Sequence, residues 1–104
     1  MRLWVIGAAS AALAMAAWAA PGFAQTAAAP DGESLTLSCF ACHGPAGKSR
    51  GGIPAISGKP ANFTEALLMN FKADKRPATV MGRLAKGYSD AEIAAIAKYL
   101  ATLK

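Results

Sequence analysis

Apolar positions along the chain recur at helical intervals, with breaker residues between the runs and no strand-like alternation. The clearest run is near the C-terminus, where Ile93, Ile96, Ala97, Leu100 and Leu103 repeat at spacings of three and four, with Tyr99 beside them. Ser89-Asp90-Ala91-Glu92 just upstream has the order of a capping box, so a helix is expected to start there. A second run, Phe63, Leu67, Leu68 and Phe71, predicts one buried stripe on a helix reaching about Ala73, with Met69 off the stripe. Asn62-Phe63-Thr64-Glu65 is the expected capping box of that helix, with Asn standing in for Ser or Thr.

Asp31 is a reasonable N-cap for a shorter helix that passes through Leu35 and Leu37. From Gly44 to Lys59 the chain reads as loop, because Gly44, Pro45, Gly47, Gly51, Gly52, Pro54 and Gly58 all break regular structure. Ile53-Pro54-Ala55-Ile56 is an apolar anchor inside it. Pro77 bars continuation of the Phe63–Phe71 helix, so Met81 belongs to a new segment. The expected fold is all-α.

The first 24 residues stand apart from this pattern. Met1-Arg2 is a short positive region, Leu3 to Trp18 an alanine-rich apolar run, and Gly22-Phe23-Ala24 places small Gly22 and Ala24 where signal peptidase reads them, with cleavage expected before Gln25. The expectation is a cleaved export signal over residues 1–24, a mobile lead-in over 25–30 and one domain over 31–104. The apolar run is short for a membrane span, so no stable membrane insertion is expected after cleavage. Such a domain is too small to bury much apolar surface by itself. Without Arg2, the eleven basic side chains become ten against six acidic ones. A basic exported domain points to an acidic protein partner and away from nucleic acid. Lys72, Lys75, Arg76, Arg83 and Lys86 concentrate that charge, with Asp74 the only acid among them.

The chemistry sits in Cys39-Phe40-Ala41-Cys42-His43. Two cysteines separated by two residues and followed at once by histidine form the attachment signature of a c-type haem. On one helical turn the two sulfurs reach two vinyl groups of one porphyrin edge, and the adjacent imidazole ligates iron. A thioredoxin-like pair needs a βαβ setting, which is missing. Structural zinc needs four ligands, and these are the chain's only two cysteines and only histidine. A plain disulfide is the blandest alternative. A haem also serves as the large apolar core element that so short a chain lacks.

With no second histidine, a sixth ligand has to be methionine, lysine or none. Met69 and Met81 are the methionines beyond the export signal. Met69 reads as core filler, whereas Met81 lies in a segment free to arch over the distal face, and it is assigned here as the ligand. His/Met ligation favours ferrous iron and leaves no vacancy for substrate, a design for passing one electron.

With these features in place, the chain resembles the small class I cytochromes c, in which a few helices (roughly three to five) wrap around one covalent haem. Within them it is most similar to the monohaem cytochrome subunit of flavocytochrome c sulfide dehydrogenase. The resemblance runs from Ser38 to Leu100. It is most specific in Arg76-Pro77-Ala78-Thr79-Val80-Met81, Ala85-Lys86-Gly87-Tyr88-Ser89 and Ala97-Lys98-Tyr99-Leu100. It implies thioethers at Cys39 and Cys42, iron ligation by His43 and Met81, and a Pro54 carbonyl that accepts a hydrogen bond from His43. It also implies that Gly32 packs against the last helix near Tyr99.

The functional implication is a periplasmic, non-enzymatic haem subunit that accepts electrons from an FAD-containing sulfide dehydrogenase or another acidic-surfaced redox protein. A diffusing shuttle to an oxidase or reaction centre, or a gas sensor with an open distal site, are the alternatives. Relatives often have tyrosine for a haem propionate where this chain has Phe63, and Trp4 and Trp18 both lie in the export signal. Propionate contacts are thereby left to Lys or Arg side chains or to backbone N–H groups.

Overall fold

The computed structural model describes Gly22 and residues 28–104. The expected export signal over residues 1–24 falls, apart from Gly22, outside the described residues. Residues 28–30 are exposed and irregular. Five α-helical segments follow: α1 Gly32–Thr36, α2 Phe40–His43, α3 Ala61–Lys72, α4 Met81–Ala85 and α5 Asp90–Thr102. Short 3-10 turns cover Leu37–Cys39 and Pro45–Gly47, and the described residues contain no strand.

Helix α5 is the spine. Its capping box is complete: Ser89 N–H donates to Glu92 Oε2 at 2.8 Å, and Glu92 N–H donates to Ser89 Oγ at 3.1 Å. Ile93, Ile96, Ala97 and Leu100 are its buried face, and with Ala85 they make up the fully buried apolar core of the described residues. The helix stops at Thr102, one residue short of the expected Leu103, which is extended and half-buried.

Helices α1 and α3 both pack on α5, and α4 packs on α3. At the α1–α5 crossing a Cβ on Gly32 would run into the Ala95 carbonyl oxygen, and would lie 3.2 Å from Tyr99 Cβ. Only glycine permits that approach. Asp31 caps α1 through Glu33 N–H at 3.2 Å. The residue that α1 buries is Thr36, its hydroxyl donating to the Gly32 carbonyl at 2.6 Å, while Leu37 is 59% exposed.

Helix α3 corrects two expectations. It begins at Ala61 with Pro60 at the N-cap and no side-chain cap, so the Asn62 box does not form. Proline fixes φ at the helix entrance, and the chain is already helical by Asn62. Phe63 is then turned outward and is 53% exposed, while Thr64 takes the buried position.

Helix α3 ends at Lys72 with Ala73 as its C-cap, as expected, but through a left-handed turn that the sequence reading did not include. Asp74 adopts φ 56°, its N–H donates to Phe71 O at 3.2 Å, and Lys75 N–H donates to Asn70 O at 2.9 Å. This is a Schellman cap with Asp in the usual glycine position. It reverses the chain into the 75–80 loop that leads to Met81.

Candidate functional site

The helices enclose an apolar cavity of about 560 Å³. Cys39, Cys42 and His43 line one part of it, Leu67, Leu68 and Phe71 of α3 another, and Met81 opens α4 on its wall. Met69 is not among the lining residues. Leu67, Leu68, Phe71 and Met81 are only half-buried although they face inward. Large apolar side chains left uncovered around a central space are what a protein built around a flat apolar group presents.

The residues around Cys39 to His43 form a 3-10 turn running into one turn of helix. Cys39 and Cys42 are not joined to each other in this structure. Burial pushes the Cys39 thiol above its ordinary value, opposed by hydrogen bonding from Ser38. His43 is buried, and its Nδ1 donates to the Pro54 carbonyl oxygen at 2.5 Å. That contact fixes the ring and puts the proton on Nδ1, leaving Nε2 as the ligating nitrogen. Gly44, at φ 82°, turns the chain out of α2, and a Cβ there would press on Ser49 Cα at 3.0 Å. Ile53 and Pro54 line the cavity from the loop, with Ile53 still 44% exposed. The loop itself is anchored: Ile56 N–H donates to Gly47 O at 2.8 Å and Gly58 N–H to Leu100 O at 2.9 Å.

The donor set fits a covalent haem. Two thiols and an imidazole share one wall, a thioether sulfur lies on the same cavity, and the lining between them is apolar. Among the described residues no group of three or more His, Cys, Asp or Glu could hold a bare metal ion, which disfavours the zinc alternative.

Cys42 also lines a second, open groove on the outside, together with Phe40, Ala41, Pro45, Lys48 and Arg50. Lys48 and Arg50 form no ion pair among the described residues. Sequence reasoning passed over these two cations, although both stand in the loop that follows the haem motif. The stretch it chose is partly neutralised: Lys72 Nζ pairs with Asp90 at 2.8 Å and also donates to Tyr88 O, and Lys86 Nζ contacts both Asp74 oxygens at 2.7 Å. The Tyr88 hydroxyl lies 3.1 Å from Ser38 Oγ, joining the haem motif to the turn before α5.

Comparison with known proteins agrees with this geometry. Residues 20–104 match the family described as cytochrome c. The cytochrome subunit of sulfide dehydrogenase from Chlorobaculum tepidum is 50% identical over 69% of this chain and 66% of that protein. A thiosulfate dehydrogenase electron acceptor from Thiomonas intermedia is 38% identical over 84% of the chain and 39% of its own length. A cytochrome c-553 from Helicobacter pylori is 37% identical over 79% of the chain and 88% of its own length. The match thus spans less than two thirds of the first two relatives.

Proposed function

The chain belongs to the cytochrome c family, and from that premise we propose that this one-haem electron carrier is exported and receives its electrons from a flavoprotein that oxidises sulfide. The likeness to a sulfide dehydrogenase subunit supports the donor, and the pattern of residues 1–24 supports export. No helix among the described residues is long and apolar enough to cross a membrane.

When bound, the haem supplies a ferric–ferrous couple that carries one electron at a time. In the proposed assignment Cys39 and Cys42 would hold the haem through thioether bonds, fixing its position against this wall. His43 would ligate iron through Nε2, with Pro54 keeping the proton on Nδ1. Met81, on the same cavity, would supply a soft thioether donor that favours the reduced state. Leu67, Leu68 and Phe71 keep water away, so oxidation-state changes meet little solvent reorganisation. No side chain on this wall is arranged to recognise sulfide. Substrate chemistry belongs to the flavin partner, and this chain relays.

The observation that carries the reading is the cavity itself, with the Cys39, Cys42, His43 and Met81 side chains on one apolar wall system. The test is gentle purification of the haem-loaded protein from its native source, followed by sulfide addition. Co-elution with an FAD protein and sulfide-dependent bleaching of the ferric spectrum are expected. Replacing Lys48 and Arg50 with Glu should slow that reduction most at low ionic strength. Isolation as a lone monomer indifferent to such a flavoprotein would leave the diffusing-shuttle reading, to which the near-full-length likeness to cytochrome c-553 lends weight.

A further inference from the structure

We propose that Arg76 is the counter-ion of a haem propionate, an inference that rests on the haem reading of the cavity. The argument begins with the charge on the wall. Of the residues that line the cavity, Arg76 is the only Lys or Arg, and no Asp or Glu is among them. The other polar side chains there, apart from His43, are neutral: Ser38, Thr64, Thr79 and Tyr88. His43 Nδ1 is already engaged with Pro54, and the Tyr88 hydroxyl with Ser38.

A haem brings two carboxylates into this surrounding. A carboxylate at the edge of an apolar cavity needs a hydrogen-bonded cation or water to offset its desolvation. Arg76 stands where that need arises and forms no ion pair among the described residues. Its guanidinium lies 5.8 Å from the centroid of the Phe71 ring, itself a lining residue. This cation–π approach keeps the guanidinium beside the cavity, and no carboxylate among the described residues occupies its N–H groups. A guanidinium in that position presents two parallel donors to a carboxylate, the strongest pairing available to it.

Backbone geometry delivers the residue. The Schellman cap at Asp74 reverses the chain after α3, and Pro77 then prevents a new helix from forming at Arg76. Arg76 is thus held in the short loop between Phe71 and Met81, two residues whose side chains line the cavity. This placement also answers the absence of a hydroxyl at Phe63, whose ring is turned to solvent and is not part of the wall.

The electrostatic consequence has a definite sign. An unscreened propionate stabilises the more positive ferric iron. A cation paired with it removes part of that preference and raises the reduction potential. The experiment compares haem-loaded wild type with Arg76→Gln, Arg76→Lys and, as a control, Lys75→Gln, whose side chain does not line the cavity. Midpoint potentials are measured across a salt series, together with the propionate bending bands in the resonance Raman spectrum.

Arg76→Gln is expected to lower the potential more than Lys75→Gln does and to shift a propionate band, with the difference persisting at high salt. Arg76→Lys is expected to restore most of the potential but not the band position, because an ammonium cannot donate as a fork. If Arg76→Gln and Lys75→Gln lower the potential equally, lose the effect together in salt and leave the band unmoved, the assignment is overturned. In that event Arg76 contributes surface charge only. Such a result leaves the haem reading intact, since every variant would still carry the covalent chromophore.

Discussion

The two methionines beyond residue 24 differ in one respect that decides their chemistry: Met81 faces the cavity and Met69 does not. Met81→Ala should lower the reduction potential markedly, abolish the sulfur-to-iron charge-transfer band at the red end of the spectrum, and let carbon monoxide bind the reduced protein rapidly. Met69→Ala should do none of these. A reversal of the two phenotypes in the same spectra would reassign the ligand. The site was legible in the sequence to this extent because the haem motif is contiguous and candidate ligands are few. Asp74 and Arg76 were not legible. Their roles come from a left-handed backbone turn and a cavity edge, and neither leaves a periodic trace in the sequence.

At the level of elements, the α1–α5 crossing and the α1 cap can be tested separately. Gly32→Ala places a methyl against the Ala95 carbonyl, whose carbon would be 2.8 Å away. Both partners there are backbone, so the helices must separate, with an expected loss of about 1–3 kcal/mol in denaturant unfolding of the haem-loaded protein.

The Asp31 carboxyl is held below its ordinary 3.8, first by the Ser34 hydroxyl and then by the Glu33 and Ser34 N–H groups. Its folded-state value lies below its unfolded one, so its contribution is complete above the ordinary value and fades as pH falls through the lowered one. Asp31→Asn should therefore melt below wild type at neutral pH, with the two curves converging in acid. A gap that stays constant with pH would place the effect elsewhere. Helix α5 was readable from its capping box and apolar spacing, since both signals agree there. Helix α3 misled at its start because Pro60, rather than a polar cap, sets where it begins.

Considered whole, the described residues bury few large apolar side chains away from the cavity. Apart from Ala85, the fully buried apolar residues all lie on α5. Of these, Ala85, Ile96 and Leu100 themselves line the cavity, and Leu67, Leu68, Phe71 and Met81 face it only half-buried. Completing the cover of such side chains is worth about 1–3 kcal/mol each, which is large against the marginal stability of so small a domain. The haem-free product, made with His43→Ala or without maturation machinery, should show no cooperative thermal transition by circular dichroism, whereas the haem-loaded form should unfold in one step. Cooperative melting of the colourless product would show that the polypeptide alone suffices. This dependence was legible in how few residues the domain has, whereas the places of the uncovered side chains were not.

Cys42 belongs at once to the inner wall and to the outer groove. With the proposed thioether in place, Cys42 alone would stand between the haem and a partner resting in that groove. An electron crossing there would need no lid to lift and no loop to swing. The molecule's throughput is then governed by how often a partner arrives in register and how soon it departs.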